Sequence, residues 1–232
     1  MAEAGSTGAG SRRGALIFAG VLLAAAAIAA VVVIATGGED DAGSAGLPEG
    51  CEEAEAAEPK DVALKRPRDL EPTAASAVVE TSCGSFEIAL DAKRAPTTVA
   101  SFEYMVEEGV YDGTGFHRVA PGFVIQGGDP AGDGTGDAGY SVDEAPPQDL
   151  SYTRGTVAMA KTAAEPPGRS GSQFFVVVGA DAGLPTDYAL LGEVTEGFEV
   201  VERIAELADP SVPDGPPASP AVIETITLEQ GA

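Results

Sequence analysis

Between Arg13 and Glu39 the chain carries no charged residue, and ALIFAGVLLAAAAIAAVVVIA, residues 15–35, is apolar throughout. A helix needs roughly 20 such residues to cross the hydrocarbon of a bilayer. A transmembrane helix is therefore expected over 14–36, behind a short cytoplasmic tail, 1–13. Arg12 and Arg13 precede the run, while Glu39, Asp40 and Asp41 follow it. That bias puts the tail in the cytoplasm and the bulk of the chain outside, as a single-pass protein of the cell membrane with an extracytoplasmic C-terminal domain. A cleaved secretory signal is the alternative. The length of the apolar run and the lack of a clear small-x-small cleavage site favour a retained anchor.

The remaining length can fill one domain of ordinary size. With 13 Lys and Arg against 37 Asp and Glu, the formal net charge is -24, and no basic patch is visible to offset it. Nucleic acid and anionic lipid surfaces are therefore excluded as electrostatic partners. The two cysteines, Cys51 and Cys83, both fall on the side read as extracytoplasmic, where thiols tend to oxidise. One disulfide is expected, and closing such a loop stabilises a domain by about 3 kcal/mol; two unpaired cysteines are the alternative.

Residues 37–75 are rich in Gly, Ala, Glu and Pro and hold no aromatic side chain, so they read as an acidic linker between membrane and domain. The folded unit, 76–232, opens with AVVETSCGSFEIALD, two β-prone runs around a turn. After Pro96, Val99, Phe102 and Val106 recur at helical spacing until Gly109. Short β-prone segments follow in GTVAMA, SQFFVVVG and YALLGEVT, then a second helix in GFEVVERIAELA and a last strand in VIETITLE. Many short strands with two helices set apart predict a mainly β fold, an antiparallel sheet closed as a barrel and capped by the helices.

Three segments join polar side chains to aromatic ones: FHRVAPGFVIQGGD, TVAMAKTA and GRSGSQFFVVVG. Taken alone, Arg118 reads as a surface ion-pair partner and Phe174 as core. His117 has no second ligand nearby, so a structural hydrogen bond suits it better than a metal. The loop GGDPAGDGTGDAG, residues 127–139, carries three aspartates but lacks the spacing of a calcium-binding helix–loop–helix and any Gly-Lys-Ser/Thr.

Together these segments resemble the cyclophilin family of peptidyl-prolyl isomerases, from about Ala77 to Leu228 and in the same order of elements. The resemblance implies a closed, antiparallel, eight-stranded β-barrel capped by two α-helices, with a groove for a proline-containing peptide. It places Arg118 on the family's catalytic arginine and Phe123, Phe175 and Leu184 on the walls of its proline pocket. Gln126 and Gln173 match polar groove residues, Gln126 orienting Arg118 or holding the substrate carbonyl, and His117 occupies a motif position beside the arginine. Ala160 and Lys161 match the edge strand whose backbone binds the peptide, Lys161 standing where eukaryotic members often have asparagine. Tyr188 stands where many members carry a histidine, and Gly183 where cyclosporin-sensitive members have a tryptophan. Gly134, Thr135 and Gly136 are implied to line a shallow side pocket.

The implied activity is rotation of Xaa-Pro bonds in exported proteins by a monomer, with no cofactor or metal. The expected partners are proline-containing polypeptides and, through the N-terminal helix, the membrane. A non-catalytic proline-peptide-binding or chaperone module on the same fold is the alternative.

Overall fold

A computed structural model of the protein describes residues 46–231. The expected tail at 1–13, the transmembrane helix at 14–36 and the first part of the linker lie outside the described residues. Among the described residues, no helix is long and apolar enough to cross a membrane.

The hairpin forms where alternation predicts it. Strand β1 (Ala74–Thr81) pairs antiparallel with β2 (Gly84–Leu90), Ala77 opposite Ile88 and Val79 opposite Phe86. These side chains are buried while Glu80 and Ser85 face out, as the two-residue period of a half-buried sheet requires. Helix α1 (Pro96–Glu107) starts with proline in its first turn, where the missing N–H is no loss. Its next two amide groups, Thr97 and Thr98, donate to the carboxylate of Glu144 at 3.1 and 2.7 Å, so a distant acid caps the helix.

The short strands follow in order: β3 (Thr114–Gly115), β4 (Arg118–Ala120), β5 (Val124–Gly127), β6 (Val142–Asp143), β7 (Thr156–Met159), β8 (Arg169–Ser170), β9 (Phe174–Val177) and β10 (Leu190–Glu196). Helix α2 (Phe198–Ala205) and strand β11 (Val222–Gln230) end the domain. One nine-stranded sheet runs β3-β11-β1-β2-β10-β7-β9-β5-β4, every ladder antiparallel, and β6 pairs with β8 separately.

The mainly β expectation and the two helices agree with this arrangement, but the eight-stranded closed barrel needs correction. The sheet is a curled half-barrel of nine strands, and among the described residues no ladder joins its ends β3 and β4. An isolated bridge from Gly115 to Asp129, just past β5, is what links β3 to the far end of the sheet. Gly115 of the two-residue β3 pairs with Val222 on one side and Asp129 on the other, a single bridge where a longer strand would make a ladder.

Strand β9 divides the interior. Phe174 points into the main core, edge-on to Phe102, Tyr111 and Phe116, while Phe175 joins Val124, Tyr152 and Val177 in a second cluster on the opposite face. The core reading of Phe174 therefore holds.

Residues 46–73, expected as the rest of a linker, have no helix or strand but lie against the domain. Leu47, Val62 and Leu64 pack on the main core. Backbone amides of Glu52, Lys60 and Leu64 donate to the carbonyls of Ser82, Pro130 and Ala138. The Cys51–Cys83 disulfide fastens the same stretch to the β1–β2 turn. A segment too polar for its own core is held instead by a covalent bond and by another element's backbone.

Candidate active site

The strand registers assemble the site. Arg118 on β4 stands opposite Gln126 on β5, Gln126 opposite Phe175 on β9, and Phe175 opposite Ala158 on β7. One row of cross-strand neighbours thus carries a cation, an amide and an aromatic ring on one face of the sheet. Residues far apart in sequence meet because three ladders keep a common register.

Above this row lies a cavity of about 240 Å³ lined by Arg118, Phe123, Val124, Gln126, Ala160, Lys161, Phe175, Leu184 and Tyr188. Phe175 forms its base, 4% exposed and edge-on to Tyr188 with ring centroids 5.5 Å apart. Tyr188 is fixed in turn by Tyr152, whose hydroxyl donates to its carbonyl and accepts from its amide. The cavity is apolar at its base and polar at its rim, a form suited to a small ring with a hydrogen-bonding edge.

Arg118 is held on three sides. Its Nε and Nη2 donate to the two carboxylate oxygens of Asp214 at 2.6 and 2.9 Å, its Nη1 donates to Gln126 Oε1 at 3.1 Å, and the guanidinium lies 5.6 Å from the Phe123 ring centroid. The bond to Asp214 raises the arginine's pKa above its ordinary value and lowers that of the aspartate. Gln126 Nε2 donates onward to Gln173 Oε1 at 3.0 Å, and Gln173 Nε2 donates to the carbonyls of Gly134 and Gly136. A chain of side-chain hydrogen bonds therefore runs from the cavity to a second one.

This second cavity, about 490 Å³, is lined by Gly134, Thr135, Gly136, Asp137, Gln173 and others, and shares Gln126, Ala160 and Lys161 with the first. Its loop is shaped by Asp129, whose buried carboxylate accepts the amides of Ala131 and Gly134 at 2.9 and 2.6 Å. That carboxylate serves the backbone. From behind, residues 46–73 brace the loop, and Gly139, at φ 90, lies so close that a Cβ there would meet Ala63 Cα at 2.9 Å.

A scan against protein families matches residues 76–228 to the cyclophilin type peptidyl-prolyl cis-trans isomerase/CLD family. The chain belongs to this family. It is 38% identical over 175 residues to peptidyl-prolyl cis-trans isomerase A of Mycobacterium tuberculosis, covering 66% of this chain and 92% of that protein. It is 40% identical over 173 residues to peptidyl-prolyl cis-trans isomerase B of Streptomyces anulatus, covering 66% of this chain and 95% of that one. Among solved structures, a cyclophilin type peptidyl-prolyl cis-trans isomerase of Cryptosporidium parvum, crystallised in the presence of the dipeptide Ala-Pro, superposes with a TM-score of 0.61 at 28% identity. That match covers 67% of this chain and 99% of the other. These cyclophilins are isomerases by name, so the family's enzymatic character is shared with relatives that the chain matches over almost their full length.

Within this cyclophilin the residues singled out from sequence fall in three places. Arg118, Phe123, Gln126, Ala160, Lys161, Phe175, Leu184 and Tyr188 line the smaller cavity, and Gln173 lines the larger. His117 lines neither. Neither of its ring nitrogens makes a hydrogen bond of ordinary geometry among the described residues, although the Gln173 side chain stands near enough to raise its pKa. Burial lowers its pKa, with Asp129 opposing, and the ring packs behind Gly134.

The edge-strand placing of Ala160 and Lys161 is also corrected. Strand β7 is flanked by β10 and β9, and the two residues lie just past its end, where the Ala160 amide donates to the Gln173 carbonyl. Lys161 turns its ammonium inward to Asp187 at 2.9 Å and toward the Tyr188 ring at 5.3 Å. Asp187 and Asp214, the partners of the site's two cations, were missed from sequence. Asp187 adjoins the singled-out Tyr188, but no motif marks Asp214, which lies 96 residues from Arg118.

Proposed function

We propose that the chain accelerates cis–trans rotation of Xaa-Pro bonds in exported polypeptides, acting outside a membrane to which its N-terminal segment anchors it, most simply as a monomer. The observation that carries the catalytic part is Arg118 at the rim of a small cavity whose base is Phe175 and whose walls include Phe123 and Leu184. The topological part is supported by the apolar run between Arg13 and Glu39 and by the Cys51–Cys83 disulfide, a bond that suits an oxidising compartment.

Rotation about a prolyl bond breaks amide conjugation, and unaided it takes tens to hundreds of seconds. At the twisted state the prolyl nitrogen becomes pyramidal and gains a lone pair. A fixed donor aimed at that lone pair binds the twisted state better than either planar state, which is the requirement for catalysis. Arg118 suits this because guanidinium is always protonated and directional. Phe123, Phe175 and Leu184 would seat the pyrrolidine ring and keep water from the donor. Gln126 orients Arg118 and offers its amide to the substrate. No covalent bond forms or breaks and no proton moves.

The test is a protease-coupled assay on a short Xaa-Pro peptide with the full chain and its Arg118→Ala variant. Loss of most of the rate enhancement in a folded variant is expected. Near-normal turnover in that variant would remove Arg118 from the mechanism.

A further inference from the structure

The catalytic assignment leaves Asp214 without a role. It lies in the segment between α2 and β11, residues 206–221, whose sequence ELADPSVPDGPPASPA is dense in proline. Asp214 is outside the cavity that Arg118 lines, yet both its carboxylate oxygens meet the outer edge of that guanidinium, Nε and Nη2. A fork-to-fork pair fixes the plane of the arginine as well as its position. The segment itself is anchored beside the site. The Val119 amide donates to the Gly215 carbonyl at 2.7 Å, so the backbone neighbours of Arg118 and Asp214 are bridged and their side chains emerge side by side. The Ala218 amide donates to the Leu207 carbonyl, and Pro210, Pro213, Pro216, Pro217 and Pro220 limit the freedom of the rest.

Resting on the isomerase reading above, we propose that Asp214 is a positioning residue: it clamps Nε and Nη2 of Arg118 from outside the cavity, so that the Nη1 edge is left to face Gln126 and the twisted prolyl nitrogen. Three contacts then define the guanidinium, with Asp214 behind, Gln126 beside and the Phe123 ring beneath. Without Asp214 the side chain, one-third exposed, regains rotamers in which no N–H points at the substrate nitrogen. Catalysis depends on such alignment more steeply than binding does. The proline ring is assigned to Phe175 and Leu184, which line the cavity that Asp214 stays outside, so affinity should scarcely change. The pair is mutually stabilising, the arginine's pKa raised and the aspartate's lowered by the bond between them.

The deciding experiment compares wild type, Arg118→Ala, Asp214→Asn, Asp214→Glu and the pair Arg118→Lys and Arg118→Lys/Asp214→Asn in one isomerisation assay, as full chains with folding checked by circular dichroism. Asp214→Asn should lower kcat about tenfold and leave KM within about twofold. Asp214→Glu should recover part of the loss, because it keeps the carboxylate. In the Arg118→Lys background, which lacks the fork, Asp214→Asn should have no further effect. Unchanged or raised kcat in Asp214→Asn, a loss expressed mainly in KM, or an equal loss in the lysine background would each overturn the proposal. An inactive wild type or a fully active Arg118→Ala would instead overturn the reading on which it rests.

Discussion

At its Arg118 end the site is built from paired strands. Arg118, Gln126 and Phe175 occupy one register row across β4, β5 and β9, and each side chain is fixed by ladders on its own backbone. At its other end the larger cavity is walled by residues 134–137, a loop outside any strand, shaped by Asp129, hung from Gln173 and braced by the N-terminal stretch through Lys60 and Leu64. The first end gives angular precision to one donor and one apolar seat. The second holds its wall through individually replaceable hydrogen bonds, some from outside residues 76–228 that match the family. The two cavities are thus walled by parts held in different ways, and only the strand-built one is held wholly from within residues 76–228 that match the family.

Removing the donor at the stiff end should act on rate. Arg118→Ala should cost on the order of 100-fold in kcat/KM, the scale on which loss of a single preorganised donor is felt, and Lys should rescue poorly for want of the planar fork. A loss confined to a few-fold would mean that the seat, and not the donor, does most of the work. The next largest effect concerns cyclosporin. The family resemblance puts Gly183 where cyclosporin-sensitive members have a tryptophan, and on that placing inhibition should be about 30-fold weaker than for a tryptophan-bearing cyclophilin, from roughly 2 kcal/mol of lost aromatic contact. Gly183→Trp should recover part of it. The site has room, with nothing within 4 Å of a Cβ, but its φ of 62 charges any side chain with backbone strain. Nanomolar inhibition of the unmodified chain would contradict this placing of Gly183.

Phe175→Ala tests whether the seat binds. Its removal should raise KM about tenfold, and because Phe175 is 4% exposed it should also lower unfolding stability by about 3 kcal/mol in denaturant titrations. At the looser end, Asp129→Ala leaves the Ala131 and Gly134 amides without their acceptor. Faster amide exchange at those two positions is expected, with a few-fold change in preference among residues preceding proline and little change in rate on the best substrate. A large fall in kcat for every peptide would erase the distinction between the two ends.

The smallest effect expected is on pH. Arg118 is held above its ordinary pKa, so isomerisation should be flat from about pH 6 to 8. His117 is depressed by burial, so the folded state resists its protonation. Both states are neutral above the ordinary histidine pKa, and stability should decline as pH falls below about 6.5. A steep bell in the rate across neutrality would give His117 a chemical role.

Much of the stiff end was legible in the sequence, because its signals are local. Alternation in SQFFVVVG separates Phe174, which faces the core, from Phe175, which faces the cavity, and the motif around Arg118 marks the cation itself. The two-residue strands β3, β6 and β8 escape any pattern, since their existence depends on distant backbone partners. Glu144 capping α1 and Asp214 clamping Arg118 are likewise ordinary acids in an acid-rich chain until the fold brings them to their partners. The bracing by residues 46–73 is illegible for a similar reason. A stretch of Gly, Ala, Glu and Pro signals the absence of its own core, and not whether another surface will hold it.

Whether the Arg118 row is a catalyst, and not only a cradle for proline, is a question of exchange rate. It is tested most directly by exchange NMR on an Ala-Pro peptide with a catalytic amount of the full chain. A catalyst should give cis–trans exchange cross-peaks at mixing times of a second or less, with the cis:trans ratio of the free peptide unchanged. Peptide resonances that shift on binding, while exchange stays at the tens to hundreds of seconds of the uncatalysed bond, would contradict it.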